Sequence, residues 1–250
     1  MGELLHTGGK RMAFAEAFAN PPRSTHEVIH PEAYLNHERI AQLTLPDVRS
    51  ILGDKYEIYD SGTIGELDVR ALLRQFGPRK VAEDLSKGWR GGVYVTVNKK
   101  SSLVSTTVDL AMLYVSRWSS PEAAMHFAKF YADTVTSRYQ SVSAVSGGCS
   151  VADCPTSSTQ QDTEEGPVIV ELWPNNTVII SETFDKDVAA KLSAAVRHSE
   201  TKAIHAFQVI PNELGARLYD LSAFRNFQKG MADGLLNWKD DLRSPPFLGQ

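Results

Sequence analysis

Apolar positions recur at two different periods along this chain, and the change of period divides it. Up to about residue 90 the spacing is helical. Residues 8–19 place Met12, Phe14, Ala15 and Phe18 on a partial 3.6-residue stripe, which Pro21-Pro22 ends. Residues 45–53 predict a short helix, with Pro46 near its start and Gly53 as its stop. A longer helix is predicted over 63–76. Thr63-Ile64-Gly65-Glu66 has capping-box spacing, and Leu67, Leu72, Leu73 and Phe76 supply an apolar face. Gly77-Pro78 breaks it, and 79–86 predicts another helix.

Beyond residue 92 the pattern becomes that of strands. Val93-Tyr94-Val95-Thr96-Val97 is β-branched and aromatic, and 111–117 predicts a second strand. Ser119/Ser120-Pro121-Glu122 then opens a helix running to about residue 137, with Pro121 suited to its first turn. The Ser/Gly/Thr-rich stretch 140–165 reads as a long loop. Strands follow at 168–173 and 177–182 around the turn Pro174-Asn175-Asn176, and a helix at 185–198 carries Val188, Leu192, Ala195 and Val196.

The expectation is therefore an α+β protein. A helical region, 1–90, precedes a sheet region, 91–200, made of two strand–strand–helix units. Their hairpins can pair into one antiparallel sheet with both helices on one face. The extension 201–250, with Phe207, Tyr219, Phe224, Phe227 and Trp238, is expected to add helical or irregular pieces before a disordered end at Ser244-Pro245-Pro246.

Composition narrows the function classes. The 250 residues are 42% hydrophobic and 22% charged, ordinary values for a globular chain long enough for one large domain or two small ones. The formal net charge of −4, without a basic stripe, argues against nucleic acid as a partner. No apolar run approaches the ~18 residues of a membrane span. Met1-Gly2-Glu3-Leu4-Leu5-His6 lacks the basic and apolar regions of a signal peptide, so taken alone the chain reads as cytoplasmic or as a piece excised from a longer protein. Cys149 and Cys154 frame a Ser/Gly-rich segment, where they are either a short disulfide staple or two free thiols.

The one catalytic motif is His26-Glu27-Val28-Ile29-His30, an H-E-x-x-H. Two histidines at i and i+4 share a helix face and can hold zinc, while Glu27 would serve as general base. Its setting argues against hydrolysis. Pro22 lies four residues upstream, Ser24 or Thr25 is a fitting N-cap, and Pro31 follows His30 directly. About one turn of helix is left for both ligands. The extended zincin motif would need Gly at 33 and His at 36, where this chain has Ala33 and Asn36, with His37 one residue out of register. A distant acid could complete the set, and Glu66 and Glu83 are formal candidates.

Beyond the motif lies a wider likeness. Gly8-Gly9, Ala17-Phe18, Pro21-Pro22, Ser24-Thr25, His30-Pro31-Glu32-Ala33-Tyr34-Leu35, Leu45-Pro46-Asp47, Thr63-Ile64-Gly65-Glu66-Leu67, Gly88-Trp89-Arg90-Gly91-Gly92 and Trp118 through Ala123-Ala124 to Phe127-Ala128 occur in this order. Over residues 4–140 the chain resembles the C-terminal half of a family of secreted bacterial and archaeal metallopeptidase-like proteins of unknown function. The resemblance implies an extracytoplasmic location. It also implies that the zinc-binding helix belongs to an upstream segment, so that His26-Glu27 is a local substitution of the family's Glu-Gln. Lys10 and Gly92 stand where the family has Trp and Asp.

The expected function is a non-catalytic or catalytically incomplete module, binding or structural, without a cofactor. Its partner would be an upstream catalytic half, a peptide or another protein. The alternative is a zinc hydrolase with His26 and His30 as ligands and Glu27 as base. Tyr34, Trp118 and His126 are expected to be packing residues.

Overall fold

The computed structural model describes residues 9, 15, 17–38, 40, 43–100, 109–145 and 154–201. Among the described residues ahead of the sheet, a helical turn at Ala17–Ala19 is followed by the short helices α1 (Thr25–Ile29), α2 (Pro31–Leu35) and α3 (Arg49–Leu52) and a 3-10 turn at Gly53–Lys55. Then come β1 (Tyr56–Thr63), α4 (Glu66–Phe76) and α5 (Arg79–Ser86). Strands β2 (Trp89–Lys99) and β3 (Leu110–Trp118) lead into the long helix α6 (Pro121–Arg138). Four further strands, β4 (Val142–Val145), β5 (Ser157–Thr163), β6 (Gly166–Trp173) and β7 (Thr177–Glu182), precede α7 (Lys186–Thr201).

The seven strands among the described residues join one antiparallel sheet in the order β1-β2-β3-β7-β6-β5-β4. The fold is α+β, with a helical N-terminal region. The two predicted hairpins, β2-β3 and β6-β7, meet at the centre, where Met112 lies opposite Glu182 and Arg117 opposite Thr177. Alternation then sorts the side chains. Tyr114, Val178, Ile180, Val168 and Val170 face α4 and α6, while Leu113, Val115, Ile179, Val95 and Val97 face α3 and α7. Strands covered on both faces read as nearly continuous apolar runs, and β7 is buried at every position.

That arrangement corrects the expectation of both helices on one face. The α6 residues Ala124, Phe127, Tyr131 and Val135 belong to one core, and the α7 residues Val188, Leu192 and Val196 to the other. The sheet is the middle layer of three. A sheet with a single apolar face would have shown polar residues at alternate positions of β3, which instead carries Ala111, Leu113 and Val115 on one face and Leu110, Met112 and Tyr114 on the other.

Three strands fall where none was expected. β1 interrupts the region read as helical, and β4 and β5 lie within the stretch read as loop. All three are at or next to a sheet edge, where one side of the strand meets solvent and polar residues are tolerated. The helix expected from Thr63 starts instead after Gly65, and Thr63 ends β1. The cap there is Asp68, which accepts from the Gly65 N–H at 2.8 Å.

Trp118 and Tyr34 pack as expected. Trp118 is buried and stacks on Phe127 with ring centroids 4.4 Å apart. Tyr34 is half-buried, and its hydroxyl donates to the Asn20 carbonyl at 2.6 Å. His126 is exposed on α6, a correction to its packing assignment. Cys154 is not a free thiol, but Cys149 and the expected Cys149–Cys154 staple lie outside the described residues, as does the extension 202–250.

Candidate functional site

Helix α1 begins where Ser24, in extended backbone, accepts from the Glu27 N–H, and it stops at His30 because Pro31 opens α2. The five-residue helix is long enough to set His26 and His30 on one face, with ring centroids 4.6 Å apart. That face lies against the start of α4. Thr25 Oγ1 accepts from the Leu67 N–H at 3.3 Å and so registers one helix on the other. Gly65 is required at this contact, since a Cβ there would stand 2.3 Å from Thr25 Oγ1.

The result is a buried carboxylate held between two imidazoles. Glu66 has no exposed surface. His26 Nδ1 lies 2.6 Å from its Oε2, and His30 Nε2 lies 3.0 Å from its Oε1. Arg70, one turn along α4, donates to the same Oε1 at 2.9 Å. Ser86 donates to it at 3.4 Å while accepting from Arg70 Nε at 3.0 Å. Burial pushes the Glu66 carboxyl up, but the hydrogen bonds from His26 and then His30, with their charge, outweigh it and hold the group below the usual carboxylate range.

Each imidazole also has an acid toward its other nitrogen. Glu38 Oε2 is 3.8 Å from His26 Nε2, and Glu32 Oε1 is 3.5 Å from His30 Nδ1. Glu38 is itself 3.6 Å from the Arg90 guanidinium. Trp89 closes the inner side, its ring centroid 6.4 Å from that of His26.

Two of the three H-E-x-x-H residues therefore converge, and the third does not. Glu27 accepts a hydrogen bond from the Arg23 N–H, which fixes it at the N-terminal end of its own helix. The distant acid that joins the histidines is Glu66. Glu83, the other formal candidate, pairs with Arg79 at 2.8 Å on α5. Among the described residues, His26, His30 and Glu66 form the one group whose ligand atoms could meet a single metal ion, all lying within 4.8 Å of one another.

Residues 55–191 match the family described as a domain of unknown function, DUF8575. The chain belongs to this family. The matched segment starts at the residue before β1 and ends within α7, so it contains Glu66, Arg70 and Ser86 but not His26 or His30. No curated protein matches the chain. A solved structure, the extracellular domain of PknH from Mycobacterium tuberculosis, is similar with a TM-score of 0.36 and 11% identity, covering 63% of this chain and 91% of that one.

Proposed function

We propose that this DUF8575 chain is a non-catalytic module of a metallopeptidase-like protein, in which the Glu66 cluster fastens the N-terminal helical segment to the sheet. The observation that carries this reading is the placement of Glu27. A hydrolase of this class needs its base within hydrogen-bond reach of a metal-bound water, and Glu27 is engaged with the Arg23 backbone instead. The carboxylate that does face the histidines is buried and already hydrogen-bonded at both oxygens, to His26 at Oε2 and to His30 and Arg70 at Oε1, so its described partners are side chains that hold it in place. The extracytoplasmic location and the upstream catalytic half remain implications of the wider resemblance, and they belong to this proposal. Among the described residues no helix is long and apolar enough to cross a membrane.

The alternative, zinc-dependent hydrolysis, draws on the convergence of His26, His30 and Glu66. The two readings part in one assay. The tag-free chain and its Glu27→Gln variant are incubated with an unfolded protein substrate such as casein, with and without added zinc. Cleavage no faster than buffer in all four samples is the expected result. Zinc-dependent cleavage by the wild type, lost in Glu27→Gln, would overturn the non-catalytic reading.

A further inference from the structure

The same cluster has features that a hydrogen-bonded clamp does not need. Two imidazoles and one carboxylate are the ligand set of a borderline transition-metal ion. Calcium and magnesium, which prefer an all-oxygen shell, are poorly served by two ring nitrogens. Every one of the three groups also carries an outer partner. His26 faces Glu38, His30 faces Glu32, and Glu66 is held at Oε1 by Arg70 and Ser86. At 3.8 and 3.5 Å these two acids stand just outside hydrogen-bond length, and a small side-chain shift would bring each onto the outer ring nitrogen, the arrangement that orients a metal-bound imidazole and raises its donor strength.

We infer that His26 Nδ1, His30 Nε2 and Glu66 Oε2 form a site for one zinc-class divalent ion. The inference concerns the cluster that the non-catalytic reading treats as a fastener, and it makes that fastener metal-dependent. Oε2 is the oxygen free for this task, because His26 is its sole described hydrogen-bond partner while Oε1 serves His30, Arg70 and Ser86. Bonds of ~2.0–2.1 Å to a tetrahedral ion put ligand atoms about 3.3 Å apart. The present 2.6 Å between His26 Nδ1 and Glu66 Oε2 must therefore open by several tenths of an ångström. The five-residue α1 has Val28 exposed on its outer face and contributes no residue to either core, so no core contact of the sheet has to break for that opening. On binding, each ligating nitrogen gives up any proton it carries, to the ring's other nitrogen when the imidazole is neutral or to solvent when it is protonated, and exchanges its hydrogen bond to Glu66 for a bond to the ion. The fourth position is left to water.

The test is zinc alone, titrated calorimetrically into the chelator-treated, tag-free chain, with elemental analysis after dialysis. The expected result is one zinc per folded chain, with affinity at least about 100-fold weaker in His30→Ala. X-ray absorption on the wild-type zinc complex covers the case in which His30→Ala does not fold. It should read imidazole nitrogen and carboxylate oxygen around the ion and no sulfur. No zinc on the folded wild type, equal binding by a folded His30→Ala, or a sulfur ligand from Cys149 or Cys154 would each overturn the inference. Absent zinc together with absent cleavage sinks this inference alone, whereas zinc-dependent cleavage sinks the non-catalytic reading alone.

Discussion

At the scale of single residues, two buried carboxylates among the described residues, Glu66 and Glu182, are treated differently. Glu66 is met by two titratable rings and one cation, whereas Glu182 is met by a cation and two phenols. Arg138 donates to Glu182 Oε1 at 2.7 Å, Tyr131 to the same oxygen at 2.9 Å, and Tyr139 to Oε2 at 3.3 Å. The guanidinium carbon of Arg138 also lies 4.8 Å from the Tyr131 ring centroid and 5.4 Å from that of Tyr139. Burial works against the Arg138 charge, and Glu182 more than compensates, so the guanidinium is held protonated more firmly than usual. Removing one member strands the other. Glu182→Ala should cost about 3–5 kcal/mol in denaturant unfolding, because Arg138 is then buried without its anion. The double variant Glu182→Leu/Arg138→Met should recover most of that loss. If the single and double variants were equally unstable, the cost would come from packing and not from the orphaned charge.

At the scale of elements, how much was legible depended on where an element sits. The central strands β2, β3, β6 and β7 were legible because burial on both faces demands apolar, β-branched residues. The outer strands were not. β5, Ser157–Thr163, is Ser-Ser-Thr-Gln-Gln-Asp-Thr, and what places it is its ladder to β6, a non-local pairing that its own composition does not announce. The candidate site divides in the same way. His26 and His30 announce themselves through their i,i+4 spacing, but Glu66 lies 36 residues beyond His30 and is one of 30 acidic residues. Only the packing of α1 on α4 selects it. Backbone closeness is a further demand that composition hides. At Gly92 in β2 a Cβ would stand 2.8 Å from the Ile64 carbonyl oxygen and 3.1 Å from the Tyr114 ring. The Ile64 N–H donates to the Gly92 carbonyl at 3.0 Å, so the two backbones cannot separate without losing that bond. Gly92→Ala should therefore lower stability by about 1–3 kcal/mol, read as a lower unfolding midpoint with an unchanged denaturant slope. A neutral result would mean that β2 and the turn before α4 shift freely.

At the scale of the whole molecule, the sheet and its two helical layers form a body to which the N-terminal segment is attached at few points. Both cores draw mainly on β2, β3, β6, β7 and the longer helices α4, α6 and α7, whereas α1 contributes no residue to either. Apart from Ala33 and His26, the residues of α1 and α2 are half-buried or exposed. The described polar ties between this segment and the body are the Glu66 cluster, the Thr25–Leu67 bond and the Glu38–Arg90 pair. Local opening follows such differences in buried contact, so the segment should open well below the global unfolding free energy. Amide hydrogen exchange on the metal-free chain should thus show α1 and α2 exchanging far faster than β3 and β7. Glu66→Gln removes the charge that both histidines share, and it should speed exchange across 25–38 while leaving β3 and β7 protected. Uniform acceleration over the sheet would instead make Glu66 a keystone of the whole core, and equal rates in both proteins would show that the clamp contributes nothing to holding the segment in place.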